Sequence, residues 1–216
     1  MNFIKVNLRL IKNKDLEQVA KLHEKAFSDS ALSKLGLEPI RRYYEWQLNG
    51  PHDCYAVGAF DENQLLIGFC FSGVFRGSLS GFLAKNKKFL IKWLIVHPWL
   101  VQNPIVMDRI KRSLRLTTKK YAPPDPSLNN IEESFGVLSI AVNPDTQGSG
   151  IGKMIMQAVE SEARRSGFAS MNLTVHPTNI TAVAFYEGCG WKKIIKSSGQ
   201  WSGSMSKRIE RHGDNK

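Results

Sequence analysis

A glycine-rich stretch, Gln147 to Gly152, contains the residue types in this sequence that could most directly do chemistry. It reads QGSGIG and lies between a β-rich run and a helical run. Glycines leave room for successive backbone N–H groups to approach an anion, and the dipole of the following helix favours negative charge there. The stretch therefore predicts a site for an anionic oxygen cluster such as a pyrophosphate, with a plain strand-to-helix turn as the alternative.

Two motifs in the C-terminal half resemble those of the GCN5-related N-acetyltransferase (GNAT) family. Gln147-x-x-Gly150-x-Gly152 matches that family's pyrophosphate loop, and the family's usual Val-x-Pro precedes it. A second segment is similar to the family's Asn-x-x-Ala-x-x-Phe-Tyr-x-x-x-Gly-Phe pattern, with Trp191 where phenylalanine is commoner. It comprises Asn179, Ala182, Phe185, Tyr186, Gly188, Gly190 and Trp191.

The resemblance, which is good from about Phe135 to Ile195, implies both a fold and an activity. The fold is the acyl-CoA N-acyltransferase fold, an α/β (α+β) architecture in which helices flank a mixed, mostly antiparallel sheet. The activity is transfer of an acetyl group from acetyl-CoA (coenzyme A), a co-substrate, to a primary amine, with no metal.

The resemblance implies that the residues matching the family's motifs have its donor-binding roles. Backbone N–H groups of the loop hold the pyrophosphate, a splayed strand pairs with the pantetheine arm, and an asparagine caps a helix and contacts that arm. One strand N–H would polarise the thioester carbonyl, where an oxyanion develops. The residues implied are Gln147, Gly148, Ser149, Gly150, Ile151, Gly152 and Lys153 in the loop, Ile140, Ala141 and Val142 in the strand, and Asn179.

Tyr186 is similar in position to the family's tyrosine that hydrogen-bonds the departing sulfur, so the resemblance makes it a catalytic candidate. A phenol with a pKa of about 10 supplies a proton to a thiolate of pKa about 8.5 only with help from its surroundings. The alternative is an aromatic side chain packed in the core.

A general base is expected as well, because an amine with a pKa of about 8 to 10 is mostly protonated at neutral pH. Glu132 and Glu133 precede the central strand, where some members of the family place a base, and His176 follows the next strand. A surface or structural role is the alternative for each of the three residues.

Periodicity predicts the elements that must position these residues. Asn7–Ile11 is a strand, Asp15–Phe27 and Ile40–Leu48 are helices, and Cys54–Phe60 and Leu65–Val74 form a hairpin, whereas 75–130 is the least regular part. Beyond it are strands at Phe135–Val142, Met171–Val175, Trp191–Ile195 and Ser204–Ile209 and helices at Gly150–Ser166 and Thr181–Glu187. We expect one domain over residues 1–216, with 76–130 inserted between the third and fourth strands.

The net charge of +11 is concentrated in one stretch, because Arg76 to Lys120 contains eleven Lys or Arg residues and one acid, Asp108. Three interpretations of this basic, apolar insertion stay open. It is an extra helical layer with charges toward water, an acceptor pocket for an anionic amine, or a peripheral contact with an anionic membrane. Nucleic acid fits less well, since no nucleic-acid-binding motif is visible.

Other sequence features bear on the compartment and the acceptor. The three cysteines show no paired spacing, and the N-terminal residues lack a signal-peptide pattern, so we expect a cytoplasmic protein of unknown oligomeric state. The leading acceptor is a nucleotide-linked amino sugar or another small amine. A protein N-terminus or lysine is the alternative, and a non-catalytic coenzyme A sensor is the alternative from another class.

Overall fold

The structure, a computed structural model, describes residues 5–108, 110–111, 134–197 and 199–209. The chain divides into two compact units. The first, here called the sheet unit, comprises Met1–Leu10, Asp53–Val74 and Glu132–Lys216, and the second, the helical unit, comprises Ile11–His52 and Phe75–Ile131.

Within the described residues, seven strands form one mixed sheet in the order β1-β2-β3-β4-β5-β7-β6. Only the β4–β5 pair is parallel, and the others are antiparallel. The strands are β1 (Asn7–Leu10), β2 (Asp53–Phe60), β3 (Leu66–Val74), β4 (Phe135–Val142), β5 (Ser170–Thr174), β6 (Lys192–Ile195) and β7 (Trp201–Arg208). This sheet confirms the predicted mixed, mostly antiparallel architecture.

The parallel pair is joined by helix α5 (Ile151–Arg165), whose apolar face packs on the sheet. Gly68 of β3 lies so close to this helix that an added Cβ would stand 2.8 Å from Cδ1 of Ile155. The helix ends where Gly167 adopts a φ of +80°, as the sequence predicted. The connection from β4 through α5 to β5 is thus a parallel crossover.

Helix α6 (Ile180–Gly188) follows β5 in the sheet unit and leads into the β6–β7 hairpin. Lys207 of β7 joins three of these elements. Its Nζ lies 2.6 Å from Oε1 of Glu160 on α5 and donates to the carbonyl oxygen of Cys189, which follows α6. Both charged side chains are largely buried, so the ion pair fixes α5, α6 and β7 to one another.

The helical unit contains α1 (Leu16–Ala26), α2 (Ala31–Leu35), α3 (Leu37–Asn49) and α4 (Ser78–Val96). Nδ1 of His23 on α1 lies 2.8 Å from the hydroxyl of Tyr44 on α3, and both side chains are buried. Trp46 Nε1 donates to the carbonyl oxygen of Ser78, at the start of α4. Side-chain hydrogen bonds thus link the helices of this unit in pairs.

Helix α4 gives nineteen residues regular structure within 75–130, the stretch predicted to be the least regular part of the chain. Its four lysines, Lys85, Lys87, Lys88 and Lys92, are exposed, while Phe82 and Asn86 are buried. The helix therefore carries these charges toward solvent. In the described part of the chain no helix is long and apolar enough to cross a membrane.

Candidate active site

Strands β4 and β5 separate part of the way along their length. They pair over Phe135–Val137 and Met171–Leu173, and no β5 residue is paired with the rest of β4. The separation begins at an irregularity between β3 and β4, where Phe71 pairs with Ser139 but Ser72 pairs with Val137, so that Leu138 is left over. Such a bulge bends the strand that carries it, and it turns the end of β4 away from its parallel neighbour.

The unpaired edge of β4 has a definite set of backbone groups. Asn143 N–H donates to the carbonyl oxygen of Ile67 on the β3 side. Because alternate residues of an antiparallel strand face the same neighbour, Ala141 also faces β3, where it pairs with Phe69. Ile140 and Val142 therefore direct their N–H and C=O groups toward the open side. The expected splayed strand is present, and two of its three candidate residues, Ile140 and Val142, supply the open edge.

A compact turn connects β4 to α5. Asn143 caps a short 3-10 helix (Pro144–Thr146), its Oδ1 accepting from the Asp145 N–H at 3.2 Å, and Thr146 Oγ1 donates to the Asn143 carbonyl. The Gln147 side chain turns back toward the strand, and its Nε2 lies 3.5 Å from the carbonyl oxygen of Val142. Gln147 thus stands where the open strand edge meets the loop.

Two of the loop glycines are needed for their backbone conformation. Gly148 and Gly150 have φ values of +81° and +84°, and a Cβ built on either would meet nothing within 4 Å. The loop surface at these residues is therefore open, and it takes the left-handed turn that glycine adopts without strain.

The backbone N–H groups of residues 148–153 find no acceptor among the described residues, and the first helical bond of α5 runs from Met154 N–H to the Gly150 carbonyl. These are the N–H groups that a helix leaves unsatisfied at its start, and the helix dipole adds positive potential there. The exposed loop can therefore receive an anionic oxygen cluster, while Lys153 adds an exposed cation in the first turn.

Gly152 has a packing role that the sequence motif did not reveal. A Cβ there would lie 3.2 Å from Cε2 of Phe185 on α6 and 3.5 Å from Cγ2 of Val142 on β4. Residues from the strand, the loop helix and α6 thus meet at this glycine. The glycine spacing and the Phe-Tyr pair were both visible in the sequence, but only the fold shows that they touch.

Tyr186, next to Phe185, is buried with 8% of its surface exposed and has its ring 6.0 Å from that of Trp191. Its hydroxyl has no hydrogen-bond partner among the described residues. Burial raises the pKa of this phenol above its ordinary value, and the neighbouring Cys70 and Cys189 raise it further. The hydroxyl is therefore held in its protonated form and is free to donate a hydrogen bond.

Asn179 and His176 lie in the turn between β5 and α6. Asn179 Oδ1 accepts from the Ala182 N–H at 3.1 Å and caps α6, as predicted, which leaves its amide nitrogen available for a ligand. His176 is exposed, and its Nδ1 lies 2.8 Å from Thr178 Oγ1. Glu132 and Glu133, the other base candidates, lie outside the described residues.

The sheet unit thus brings together an open strand edge, a loop of unpaired N–H groups and a buried phenol. An extended amide-containing chain could pair with the edge while its anionic end lies in the loop. No group of three or more His, Cys, Asp or Glu residues that could hold a metal ion occurs in the part of the chain that the structure describes.

Comparison with known proteins identifies the same segment. The model of the acetyltransferase (GNAT) family matches residues 121–191. The [Ribosomal protein bS18]-alanine N-acetyltransferase of Escherichia coli K12 is 33% identical over 57 residues, which are 26% of this chain and 38% of that protein. The chain therefore spans well under half the length of the curated relatives it matches.

Solved structures share the fold over nearly the whole chain. The ribosomal-protein-S18-alanine N-acetyltransferase from Escherichia coli has a TM-score of 0.57 at 14% identity, covering 98% of this chain and 99% of that one. The PaiA N-acetyltransferase from Thermoplasma acidophilum, in complex with coenzyme A, has a TM-score of 0.56 at 14% identity, covering 95% and 99%. The family model thus matches the strand, loop and helices of the site, and the chain shares its fold with these solved N-acetyltransferases.

Proposed function

We propose that this chain is an acetyl-CoA-dependent N-acetyltransferase that acts on a primary amine. The observation that carries the proposal is the open edge of β4, formed by Ile140 and Val142, which leads directly into the unpaired N–H groups of residues 148–153. Extended donors with a pyrophosphate at one end and amides along the arm are complementary to this combination.

In this proposal the donor lies along β4. The N–H groups of 148–153 receive the pyrophosphate, and Lys153 offsets part of its charge. Ile140 and Val142 pair with the amides of the pantetheine arm as a missing strand would. Gln147, whose side chain reaches the Val142 carbonyl, and the amide nitrogen of Asn179 add polar contacts. Ala141 faces β3 and positions its neighbours.

The transfer step needs few side chains. The nitrogen of the neutral amine bonds to the thioester carbonyl carbon, the C=O electron pair moves to oxygen, and an open-edge N–H, for which Ile140 is the candidate, stabilises that oxyanion. Collapse of the tetrahedral species breaks the C–S bond and releases the thiolate, while the nitrogen loses a proton to a base.

Tyr186 assists departure of the sulfur as a hydrogen-bond donor. Because burial raises the pKa of its phenol, complete proton transfer to a thiolate of ordinary pKa about 8.5 is uphill. A hydrogen bond that strengthens as charge develops on sulfur lowers the barrier without that transfer. The base remains a proposal among Glu132, Glu133 and His176, of which exposed His176 is the one in the described part.

For the acceptor, we propose an anionic small amine, with a nucleotide-linked amino sugar as the leading candidate, because eleven cations and one acid lie between Arg76 and Lys120. A protein N-terminus is the second candidate, and the similarity to a bS18-alanine N-acetyltransferase favours it. Lysine acetylation and donor sensing without turnover are further alternatives. Three free cysteines fit a reducing compartment, and we place the enzyme in the cytoplasm.

The experiment is thiol release from acetyl-CoA in the presence of nucleotide-linked amino sugars, polyamines, aminoglycosides and peptides that begin with alanine. Wild type should release coenzyme A with at least one class, and mass spectrometry should find the acetylated amine. Donor binding without any amine-dependent release would instead favour a sensor. A preference for peptides would replace the small-amine acceptor, and no preference among phosphorylated and unphosphorylated amines would remove the argument from charge.

A further inference from the structure

The helical unit carries an exposed apolar surface at the C-terminal end of α4, here called the apolar tip. Thirteen large apolar side chains are exposed in the described part of the chain, and six of them lie within residues 91–105. Ile95 has 72% of its surface exposed and Trp99 has 61%. The apolar tip comprises Ile91, Ile95, Val96, Trp99, Val101 and Ile105.

The apolar tip is held outward by neighbours that are anchored. Trp93 Nε1 donates to the carbonyl oxygen of Leu35 at 2.9 Å, which fixes α4 against the end of α2. Leu100 and Val106 are buried, with 7% and 1% of their surfaces exposed, although residues beside them are exposed. Some apolar side chains of this segment are thus packed inside the helical unit, while their neighbours in the apolar tip remain exposed in the folded structure.

Positive charge surrounds the apolar tip on its N-terminal side. Lys85, Lys87, Lys88 and Lys92 are exposed, and none forms an ion pair with any residue that the structure describes. At about 1.5 Å of rise per helical residue, Lys92 and Lys88 lie roughly 5 and 10 Å along the axis from Ile95. The four ammonium groups thus form a basic collar, defined as Lys85, Lys87, Lys88 and Lys92, one to three helical turns before Ile95.

We propose that the apolar tip and its basic collar dock this chain on the surface of an anionic phospholipid bilayer. An interfacial segment buries its apolar side chains about 5–10 Å deep, at the boundary of headgroups and acyl chains. At that depth the collar lysines reach the lipid phosphates, where ammonium groups keep their hydration. Trp99 has the apolar body and polar N–H that suit the same boundary.

Charge complementarity distinguishes this occupant from others. A second copy docked through the same surface would bring two basic collars together, and like charges in one interface oppose association. A nucleic acid would match the lysines but would leave Ile95 and Val96 in water. An anionic bilayer satisfies the apolar and the basic parts together.

Sedimentation of the full chain with unilamellar vesicles tests the proposal without any acetyl donor or acceptor. The chain should sediment with vesicles of phosphatidylglycerol and phosphatidylcholine and stay in the supernatant with pure phosphatidylcholine. Ile95→Asp should weaken binding at least about tenfold, because it places a carboxylate at the apolar tip. The matched control is Leu65→Asp, which changes an apolar side chain of 57% exposure in the β2–β3 turn and should bind like wild type.

A second pair of variants separates the basic collar from net charge. Lys88→Gln with Lys92→Gln should weaken vesicle binding at least about tenfold, while Lys14→Gln with Lys196→Gln, which removes the same charge elsewhere, should not. Equal loss in both pairs, or no binding of wild type to the anionic vesicles, would overturn the proposal. So would dissociation of a wild-type dimer by Ile95→Asp without vesicle binding, since that result assigns the apolar tip to a second copy.

Discussion

Gly152 of α5 rests on the ring of Phe185 in α6, with only 3.2 Å between the position of an added Cβ and Cε2 of that ring. This contact joins the first turn of α5 to the helix that carries Tyr186. The proposed donor loop and the helix that carries Tyr186, the proposed hydrogen-bond donor, are therefore coupled through one close approach. A larger side chain at residue 152 should disturb both.

Gly152→Val should lower stability and donor affinity together. Overpacking of such a contact costs about 1–3 kcal/mol, which corresponds to a fall in Tm of roughly 2–12 °C for a chain of this size. Gly188→Val is the matched control, because a Cβ at Gly188 meets nothing within 4 Å. Thermal unfolding and titration with acetyl-CoA measure the two effects, and equal behaviour of the two variants would show that the Phe185 contact is unimportant.

Gly150→Asp should weaken acetyl-CoA binding by roughly a hundredfold or more, since it places a carboxylate against the pyrophosphate. The open space around Gly150 means that the fold accommodates the new side chain. Gly150→Asn is the control, because asparagine tolerates the positive φ and has the same shape without the charge. If calorimetry gives both variants the same affinity, charge at this residue does not matter and the loop assignment is wrong.

Tyr186→Phe should lower kcat roughly 10- to 100-fold, the worth of a hydrogen bond to a charged group, and leave KM for acetyl-CoA nearly unchanged. Because burial raises the pKa of Tyr186, its hydroxyl stays protonated through alkaline pH. The pH profiles of kcat for wild type and for Tyr186→Phe should therefore have the same shape near pH 10. A decline of the wild-type steady-state rate alone near that pH would mean that Tyr186 ionises normally and that burial does not control it.

His23 should make the folded protein sensitive to mild acid. Burial lowers the pKa of this imidazole from 6.5 to about 4, so the unfolded chain binds its proton first as pH falls. The free energy of unfolding should therefore decrease between about pH 6.5 and 4, by up to about 3 kcal/mol.

Chemical denaturation of wild type, His23→Gln and His176→Gln across this pH range checks the His23 prediction. The slope should disappear in His23→Gln and persist in His176→Gln, because His176 is exposed. Glu38, whose pKa is lowered mainly by a hydrogen bond from Arg41, contributes only below about its ordinary value of 4.5. A slope of the same size in all three proteins would assign the acid sensitivity to other groups.

The sequence predicted the core of the site because local signals there agree with one another. A β-rich run ends at Val142, glycines follow, and an amphipathic helix begins at Ile151, so the strand, loop and helix were each predicted within a residue or two. The same holds for Asn179, whose capping role is local. The direction of β4 could not be predicted from the sequence. The irregularity at Leu138 has no sequence signal, yet it opens the edge at Ile140 and Val142.

Helix α4 was missed for a different reason. It begins after Gly77 at a φ of +65° with no side-chain cap, and its lysines break the apolar periodicity that marks a surface helix. The short helix α2 was also missed, since five residues are too few for periodicity and only the Ser30 cap signals its start. Local patterns fail where tertiary contacts, such as Trp93 with Leu35, hold the helix.

Hydrogen exchange with and without acetyl-CoA tests the donor-site assignment, the account's central claim, most directly. Two sets of N–H groups should exchange more slowly once acetyl-CoA is bound. One set is the unpaired N–H groups of residues 148–153, and the other is the N–H groups of Ile140 and Val142 on the open edge. The N–H of Ala141, which faces β3, should change little and serves as the internal reference. Protection confined to those N–H groups is the result this account predicts. Binding of acetyl-CoA without their protection, or with protection elsewhere in the sheet unit, would contradict it.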